Sequence, residues 1–326
     1  MIMVTGGAGF IGSALVKLLN DQNKKNIIIV DRLHSGKKWM NLRGLKYYRL
    51  VKVEDLFLDE NKYLFDDLQE IYHLGACSST LEMNADYLWK NNIEFSQKLF
   101  KIAVKKNAKF LFASSAATYG DGELGYNDDH ASIGKLRPLN PYGYSKQVFD
   151  EWLLSHPGKP TNWFGVKFFN VYGPNEYHKG DMRSVVIKAY EQIRDTKKVK
   201  LFKSYNSKYQ DGEQLRDFIY VLDAAQCLIK LMQSKNNGIY NLGTGKARSF
   251  KDLVNATFTA LNLTPTIEYI EMPESIKGQY QYFTEANMSK FNSVIKHEFM
   301  SLEMGVASYV NDYLTKANPY LETTSL

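Results

Sequence analysis

The sequence is poor in cysteine and proline, and it has no long apolar run. Its two cysteines, Cys77 and Cys227, are far apart and show no metal-ligand spacing, which argues against a disulfide scaffold or a cysteine-held metal. No stretch of about 18 apolar residues occurs, and the chain begins directly in a strand-like run without a basic and apolar leader. We therefore expect a reduced, cytoplasmic protein that is neither secreted nor membrane-spanning.

A block of charge of one sign is also missing. The formal net charge is +6, and the basic pairs are scattered along the chain instead of forming one arm. Anionic nucleotides are therefore a sufficient partner, and nucleic acid is not required. With 326 residues, 44% of them apolar and 23% charged, the composition is ordinary for a soluble enzyme with a sizeable core.

What the chain does have is a glycine-rich turn at residues 5–12. The turn follows a short apolar run and precedes a segment whose leucines recur at helical spacing. Gly7, Gly9 and Gly12 fit a G-x-G-x-x-G pattern, while Gly6 with the last two fits G-x-x-G-x-x-G. Glycines between a strand and a helix let the backbone approach a pyrophosphate at the helix N-terminus, so the pattern predicts a dinucleotide site. The alternative is a tight turn without a ligand.

A second apolar run at residues 27–30 ends in Asp31, about where an acid meets the adenosine ribose in such a site. Arg32, Lys37 and Lys38 follow, which puts three cations where a 2′-phosphate would lie. A bare acid favours NAD, whereas an adjacent arginine can pair with a phosphate, so we favour NADP and leave NAD open. The two lysines have an equal alternative role as solvated loop residues.

The strongest catalytic signal lies in the middle of the chain. A core strand at residues 109–113 delivers a serine-bearing loop to the sheet edge where ligands bind in doubly wound folds. Downstream, Tyr142 and Lys146 are four residues apart in a helical pattern and share one face. We expect the ammonium of Lys146 to lower the pKa of the phenol, so that Tyr142 exchanges a proton with a substrate hydroxyl while hydride moves to or from nicotinamide.

Another buried strand opens into a loop at residues 77–80 that should pass over the cofactor. His73 lies inside this strand, and we interpret it as a core histidine with satisfied hydrogen bonds. Asn91 and Asn92 are expected to open a long helix, where their amides have two alternative roles: reaching the ribose region or capping the helix.

The C-terminal part reads as the smaller, substrate-binding one. A long polar loop at residues 204–214 is typical of a mobile surface or a lid. Asp223 is expected to cap the helix that follows the next strand. Residue type alone assigns Lys179 to a phosphate clamp or to the protein surface.

The alternation of strands and helices predicts an α/β chain: a Rossmann-type doubly wound parallel sheet with a smaller C-terminal α/β substrate-binding domain. We expect the NADP-binding Rossmann domain to take residues 1–172 and about 216–245. The substrate-binding domain then takes residues 173–215 and 246–321. No internal repeat suggests independent modules.

Several segments carry a resemblance to a known family over nearly the whole chain. The extended short-chain dehydrogenases/reductases of the nucleotide-sugar epimerase and dehydratase group are similar to the chain at residues 5–12, 114–120, 142–146 and 169–174. Within that group, the ADP-L-glycero-D-manno-heptose 6-epimerases are similar to it at residues 75–80, 113–120, 178–180 and 277–281. The group's dehydratases carry an Asp-Glu pair just after the catalytic serine or threonine. Ala116 and Ala117 stand there in this chain, so general-acid loss of water lacks its carboxylates.

The resemblance implies a catalytic set with four members. Ser115 is expected to donate a hydroxyl hydrogen bond, Tyr142 to act as acid/base, and Lys146 to contact the ribose and the tyrosine. Lys179 is expected to be a second acid/base on the opposite side of the sugar. Such an enzyme oxidises C6″ and presents the other face of the carbonyl to the same cofactor, so each face needs its own proton donor. Lys179 can serve only if part of it is neutral, which requires desolvation or a neighbouring cation.

The resemblance also implies two sets of binding residues. The expected cofactor contacts are Gly6, Gly9, Phe10, Ile11, Gly12, Asp31, Arg32, Lys38, Leu74, Gly75, Ala76, Cys77, Ser78, Asn91, Lys146 and Val171. The expected substrate contacts are Ser78, Asn170, Asp181, Lys188, Phe202, Arg216 and Tyr280. Arg216 should clamp the diphosphate through its fork of donors, with a structural ion pair as the alternative. Tyr280 should close over the sugar, with an interface or core position as the alternative.

We therefore predict an isomerase that converts ADP-D-glycero-β-D-manno-heptose to ADP-L-glycero-β-D-manno-heptose by transient oxidation and re-reduction with bound NADP, in lipopolysaccharide heptose biosynthesis. No metal is needed, because the cofactor carries the redox step. One alternative is a C4 epimerase of a UDP- or GDP-hexose, and another is a protein that binds NADP without turnover. Two departures from the family pattern, Lys167 for an arginine and Asp181 for a small residue, are expected to alter substrate contacts. The resemblance also implies a homo-oligomer, with a pentamer as the suggested size.

Overall fold

The computed structural model describes residues 1–277 and 280–323, so Gly278 and Gln279 of the 277–281 segment lie outside the described residues. The described strands are, in chain order, β1 (Ile2–Thr5), β2 (Ile27–Val30), β3 (Arg49–Val51), β4 (Glu70–His73), β5 (Lys109–Ser115), β6 (Trp163–Phe168), β7 (Asn170–Tyr172), β8 (Val199–Phe202), β9 (Leu215–Tyr220), β10 (Gly238–Leu242), β11 (Ala247–Ser249) and β12 (Ile267–Ile270). Seven of them form one parallel sheet in the order β10-β6-β5-β4-β1-β2-β3. This order reverses between β1 and β4, as in a doubly wound fold, so the predicted fold class is confirmed.

The helices cover both faces of that sheet. The described α-helices are, in chain order, α1 (Phe10–Asp21), α2 (Ala85–Leu88), α3 (Phe95–Lys106), α4 (Pro141–Ser155), α5 (Val185–Thr196), α6 (Val221–Gln233), α7 (Phe250–Ala260), α8 (Glu274–Lys277), α9 (Ser289–Val294) and α10 (Leu302–Ser308). A π-helical turn, Trp89–Glu94, joins α2 to α3. Within the described residues, none of these helices has both the length and the apolar content needed to cross a membrane.

The apolar run of β2 shows why the strand is buried on both sides. Ile27 and Ile29 belong to the core cluster shared with α1 and α6, whereas Ile28 and Val30 belong to the cluster shared with α3 and α4. Because successive side chains of a strand point to opposite faces, a strand covered by helices on both sides must be apolar throughout. The carboxyl ends of β1, β2, β4 and β5 then meet along one edge, which is where the predicted ligand loops lie.

Two small sheets form the second part of the molecule. One has the order β11-β9-β7, and the other pairs β12 with β8. A separate core cluster there takes apolar residues from α5, α7 and α10. The predicted domain limits stay a prediction; of the strands assigned to residues 216–245, β10 joins the large sheet and β9 joins the three-stranded one.

Two helix starts differ from the sequence prediction. Asn91 and Asn92 do not cap a helix, because the helix already begins after Asn84, whose side chain accepts a hydrogen bond from the Tyr87 N–H at 2.9 Å. Helix α6 begins at Val221, so Asp223 lies inside its first turn instead of capping it. Residue types that favour the N-cap position also occur inside the first turn of a helix. A sequence alone does not show which of these residues is the N-cap, and therefore where the helix begins.

Candidate active site

The glycine turn is packed too tightly for side chains. Gly6 has a φ of +70°, and a Cβ there would lie 2.7 Å from the backbone nitrogen of Gly75. A Cβ on Gly12 would lie 2.1 Å from the carbonyl oxygen of Gly6. Helix α1, which follows Gly9, has neither a side-chain cap nor an acidic residue in its first turn. Its first N–H groups and the positive end of its dipole therefore suit a pyrophosphate, so the turn fits a dinucleotide.

Acids and bases are paired at the expected ribose end. The Asp31 carboxylate accepts two backbone N–H bonds, at 2.9 and 2.7 Å, and a hydrogen bond from Lys38 at 2.5 Å. Arg32 forms an ion pair with Glu54 and donates to the Asn91 side-chain oxygen at 3.0 Å. The Arg32 guanidinium lowers the pKa of Glu54, so this acid is ionised. Two of the three cations that the sequence assigned to a 2′-phosphate, Arg32 and Lys38, thus already have carboxylate partners, and Lys37 is exposed.

A cleft of about 730 Å³ runs along this edge of the sheet. Its lining includes the whole expected cofactor set: Gly6, Gly9, Phe10, Ile11, Gly12, Asp31, Arg32, Lys38, Leu74, Gly75, Ala76, Cys77, Ser78, Asn91, Lys146 and Val171. The structure also brings Tyr142 and Lys179 into this lining, together with Ser78 and Asn170 of the substrate set. The cleft lining does not include Ser115, Asp181, Lys188, Phe202, Arg216 or Tyr280.

Helix α4 positions the central pair. The Asn140 side chain caps it by accepting from the Gly143 N–H at 2.8 Å, and Pro141 takes the first helical position. The predicted shared face is present, since the Lys146 Nζ lies 6.0 Å from the centre of the Tyr142 ring. The same Nζ donates to the Ala113 carbonyl, in β5, at 2.8 Å. The pair is thereby fixed against the strand end that precedes Ser115.

The electrostatics of this pair differ from the prediction. Burial raises the pKa of Tyr142, and its hydrogen bond with Ser115 opposes that rise, so the expectation of a lowered phenol pKa is wrong for the chain alone. Burial also lowers the pKa of Lys146 to about 8, with the charge of Asp150 acting against it. A site of low dielectric disfavours both the phenolate of Tyr142 and the ammonium of Lys146. The charge of Lys146 therefore does not lower the pKa of Tyr142 below its ordinary value.

Lys167 lies behind this helix and not in the cleft. It forms an ion pair with Asp150 at 2.7 Å, and both side chains are fully buried. The Ser114 hydroxyl donates to the same Asp150 oxygen at 2.8 Å, and Lys167 also donates to the Thr118 hydroxyl at 2.7 Å. The expectation that Lys167 alters substrate contacts is therefore wrong. Asp150 lies one helical turn from Lys146 on α4. Since neither Lys167 nor Asp150 lines the cleft, this pair acts on the site only through its charge and packing.

His73 has the structural role expected of it. Its Nδ1 pairs with the Thr5 hydroxyl at 2.6 Å and its Nε2 with the Ser96 hydroxyl at 2.7 Å. Burial lowers the pKa of His73 to about 3, so the ring stays neutral at physiological pH. The interpretation as a core histidine is confirmed.

The two asparagines of the π-helical turn have separate roles. Asn92 is buried and bonds both backbone groups of Cys77, at 2.8 and 3.0 Å. It also donates to the Ser145 hydroxyl, in α4, at 3.0 Å. Asn92 therefore ties the loop that begins at Cys77 to the helix of Tyr142, whereas Asn91 reaches the cleft itself.

Lys179 enters the cleft from a short 3-10 helix, Tyr177–Met182. Its Nζ lies 5.6 Å from the ring centre of Phe10, the first residue of α1. Burial lowers the pKa of Lys179, and the nearby Glu176 carboxylate acts against that shift. Of the two conditions for a neutral lysine, the structure therefore supplies desolvation. The adjacent His178 also lines the cleft, and burial lowers its pKa to about 4.

Arg216 and Tyr280 form a neighbouring group that stands apart from the cleft lining. Arg216 is 8% exposed and donates to the backbone carbonyls of Leu215, at 2.8 Å, and Gln281. Its guanidinium carbon lies 5.3 Å from the Tyr280 ring centre and 5.5 Å from that of Phe250, which does line the cleft. Within residues 1–277 and 280–323 no carboxylate pairs with Arg216, so the structural ion pair is not formed there.

The remaining expected substrate residues, Asp181, Lys188 and Phe202, lie outside the cleft lining. Asp181 is exposed, and its backbone carbonyl accepts a hydrogen bond from the Lys188 Nζ at 2.6 Å. Phe202 is the last residue of β8 and is partly buried. Neither the Asp181 carboxylate nor the Phe202 ring reaches the cleft lining.

Sequence reasoning missed part of the lining. Val53 follows β3 at the ligand edge of the sheet, and strand order alone could have found it. Arg183 and Ser184 come from the loop after the 3-10 helix, where no local pattern marks them. Other missed lining residues are Thr5, Val30, His34, Ser79, Tyr87, Phe95, Ala113, Ser114, Phe168, Phe169, Tyr172, His178, Met182, Val185, Phe218 and Phe250.

In the described part of the chain, no cluster of three His, Cys, Asp or Glu side chains could hold a metal ion.

The comparisons with known proteins identify the class to which this fold and cleft belong. The profile of the NAD dependent epimerase/dehydratase family matches residues 2–243, which contain the glycine turn, Asp31, Tyr142 and Lys146. The chain therefore belongs to that family.

Relatives narrow the likeness further. The chain is 48% identical over 335 residues to the ADP-L-glycero-D-manno-heptose-6-epimerase of Fusobacterium nucleatum subsp. nucleatum, covering 98% of this chain and 100% of that protein. It is 49% identical over 325 residues to the protein of the same name from Nitratidesulfovibrio vulgaris, again covering 98% and 100%. Among solved structures it resembles the crystal structure of Helicobacter pylori ADP-L-glycero-D-manno-heptose-6-epimerase, with a TM-score of 0.79, 30% identity and 95% of both chains covered.

Proposed function

We propose that the chain is an epimerase that converts ADP-D-glycero-β-D-manno-heptose to ADP-L-glycero-β-D-manno-heptose by inverting C6″. The observation that carries this proposal is one cleft lined by a dinucleotide-type glycine turn, by Tyr142 with Lys146, and by Lys179. Relatives at 48% and 49% identity that carry the heptose epimerase name support the choice of substrate. Dehydration is disfavoured because Ala116 and Ala117 offer no carboxylate for the loss of water.

A bound nicotinamide dinucleotide would supply the acceptor and the donor of hydride at C6″. The chain's own contribution is to hold the sugar and to move protons. Tyr142 is proposed to exchange the proton of the 6″-hydroxyl on one face, with the Ser115 hydroxyl bonded to its phenol. The raised pKa of Tyr142 keeps that proton on the phenol at neutral pH until a substrate group takes it. Lys146 is proposed to hold the ribose and the phenol together through its remaining N–H groups.

Lys179 is proposed to exchange the proton on the other face. It comes from a different element than Tyr142, so the two groups can serve opposite faces of one carbonyl. Its lowered pKa increases the neutral fraction that a proton acceptor needs. Replacing Lys179 with methionine should leave dinucleotide binding intact and reduce turnover, and unchanged turnover would remove Lys179 from the mechanism.

Arg216 is proposed to bind the substrate diphosphate. A buried guanidinium that donates only to carbonyls and has no described carboxylate partner retains its charge for an anion. Burial lowers the pKa of Arg216, and a diphosphate would compensate for the lost hydration. Tyr280 is proposed to pack beside this contact and over the sugar. The remaining proposed contacts are Ser78, Asn170, Asp181, Lys188 and Phe202.

We infer that NADP is the preferred cofactor, with NAD as the alternative. Arg32 and Lys38 give the ribose end two cations for a 2′-phosphate, while Asp31 suits free ribose hydroxyls. Glu54 works against NADP, because it already pairs with Arg32 and would repel a phosphate dianion. Dissociation constants for the two dinucleotides test the inference, and a clear preference for NAD would overturn it.

The decisive experiment is to incubate the purified chain with ADP-D-glycero-β-D-manno-heptose and to follow the H-6″ signal by proton NMR. Inversion at C6″ is expected, with Tyr142→Phe and Lys179→Met as slow variants. Inversion at C4 of a UDP- or GDP-hexose, without change in the heptose, would favour the alternative epimerase. Dinucleotide binding without inversion of any of these sugars would favour a binding protein that does not turn over.

Three expectations remain predictions. A homo-oligomer, with a pentamer as the suggested size, can be tested by light scattering after size-exclusion chromatography. A cytoplasmic location and the domain limits at residues 172–173, about 216 and about 245 follow from the sequence and the family resemblance. Limited proteolysis with and without dinucleotide would test those limits, because domain linkers are cut first.

A further inference from the structure

The C-terminal segment, residues 318–323, packs into the molecule although it forms neither helix nor strand. Tyr320 and Leu321 are 7% and 1% exposed, and Leu321 belongs to the core cluster beside α1. On the outer side, the Arg43 guanidinium donates to the Asn318 side-chain oxygen at 2.7 Å. Burial of this degree makes Tyr320 and Leu321 part of the core, although Glu322 beside them is exposed.

The segment contacts Asn175 and Tyr177, which shortly precede Lys179 in the chain. The Tyr177 hydroxyl donates to the Pro319 carbonyl at 2.6 Å, and its ring meets Tyr320 edge to face with the centroids 5.1 Å apart. The backbone N–H of Leu321 donates to the Asn175 side-chain oxygen at 3.0 Å. Two hydrogen bonds and one aromatic contact thus fix the backbone just before the cleft-lining lysine.

Asn175 extends these contacts to the cofactor side. Its side-chain nitrogen donates to the Ser13 hydroxyl, in α1, at 2.9 Å, and its φ of +75° is one that asparagine tolerates better than most residues. Its carbonyl accepts from the Asn41 side chain at 3.0 Å, and the same nitrogen of Asn41 donates to the Ala8 carbonyl at 3.0 Å. A continuous set of hydrogen bonds therefore joins the C-terminal segment, through Asn175 and Asn41, to the glycine turn.

We propose that residues 319–321 position Lys179 over the cleft for proton transfer. The inference rests on the catalytic role proposed above for Lys179. None of these three residues lines the cleft, and their contacts with the backbone before Lys179 are made to Asn175 and Tyr177. Without them the first residue of the 3-10 helix, Tyr177, would lose its hydrogen bond to Pro319 and its edge-to-face contact with Tyr320, and the flexible lysine side chain would turn toward water. The Nζ would then lose both its place beside the Phe10 ring and its desolvation.

The test uses the full chain with Tyr320→Ala, and Tyr320→Phe as the matched control that keeps the ring. In Tyr320→Ala we expect amide hydrogen exchange at residues 176–182 to speed up at least tenfold and kcat to fall about tenfold. The dissociation constant for NADP should stay within twofold, because the glycine turn keeps its own packing. Tyr320→Phe should match the wild type in all three measurements.

A Lys179→Met background separates positioning from general damage. If the segment acts through Lys179, adding Tyr320→Ala there should lower kcat by less than twofold. An equal tenfold loss in both backgrounds, or unchanged exchange at residues 176–182, would overturn the positioning role. Full turnover of Lys179→Met would instead overturn the proposed function of that lysine. If Tyr320→Ala does not fold, Tyr177→Phe removes only the bond to Pro319, and unchanged exchange in that variant would equally overturn the inference.

Discussion

Replacing Lys146 with methionine is expected to stabilise the dinucleotide-free protein while it removes activity. The lysine is 6% exposed, and burial lowers its pKa to about 8. The nearby carboxylate of Asp150 is already paired with Lys167, so Lys146 has no direct counter-ion of its own in the described structure. Burial disfavours the charged ammonium of Lys146. Keeping the proton on this lysine in the folded protein therefore lowers the free energy of unfolding.

The size of the effect follows from that pKa. An exposed lysine titrates at 10.5 and this one at about 8, and each pKa unit corresponds to about 1.4 kcal/mol, so the buried charge costs at most about 3 kcal/mol below pH 8. The lost hydrogen bond to the Ala113 carbonyl offsets about 1 kcal/mol of the gain. The net gain of about 2 kcal/mol should raise the melting temperature of a 326-residue chain by about 3 °C.

The pH dependence distinguishes this cause from a general packing effect. Between about pH 8 and 10.5 the unfolded chain keeps a proton on Lys146 that the folded chain has released, so wild-type stability gains on the variant as pH rises. Differential scanning calorimetry of Lys146→Met and wild type from pH 7 to pH 10 should show an advantage that is largest below pH 8 and then shrinks. Lys146→Arg, which keeps the charge, should gain nothing. A variant that melts lower at pH 7, or an advantage independent of pH, would refute the reasoning.

Three further changes test separate parts of the site. Lys167→Met leaves Asp150 buried without its cation and should lower the free energy of unfolding in urea by roughly 3–5 kcal/mol; a loss below 1 kcal/mol would show that the ion pair is not needed. Arg216→Gln should raise KM for the nucleotide sugar at least tenfold at an unchanged NADP dissociation constant, and equal KM values would contradict its role as a diphosphate clamp. Glu54→Gln should raise the ratio of NADP to NAD affinity roughly three- to tenfold, with Asp55→Asn as the control, and an unchanged ratio in fluorescence titrations would count against competition for Arg32.

The parts of the site that the sequence predicted are those encoded in short contiguous stretches. The glycine turn, Asp31 after β2, and the spacing of Tyr142 and Lys146 each need only a strand or a helix next to the motif. Parallel strands bring their carboxyl ends to one edge, so the alternation of strands and helices predicts that these motifs lie together, as the observed sheet shows. The positions of Arg216 and Lys179 came from family resemblance and not from local pattern.

The parts that could not be predicted depend on which distant groups meet. Nothing near Lys167 shows that Asp150 lies opposite it, and nothing near Arg32 indicates Glu54 as its partner. The lowered pKa expected for Tyr142 failed for the same reason, because the prediction included one neighbouring charge and omitted the burial of both groups. Partner choice and desolvation are properties of the packed chain, and a sequence pattern contains neither.

Two lysines of the cleft, Lys146 and Lys179, show how such tertiary contacts determine chemistry. Lys146 and Lys179 each have a carboxylate nearby, which by itself would form an ion pair and keep the lysine charged. The acid near Lys146 is instead held by Lys167 and Ser114, and Glu176, near Lys179, accepts from the Ser184 N–H at 2.5 Å and from its hydroxyl at 2.7 Å. Because other donors already hold these acids, burial prevails and lowers the pKa of both lysines. The groups that hold the acids therefore act together with the surroundings that desolvate the lysines, because they limit how far each carboxylate raises the pKa of its neighbouring lysine.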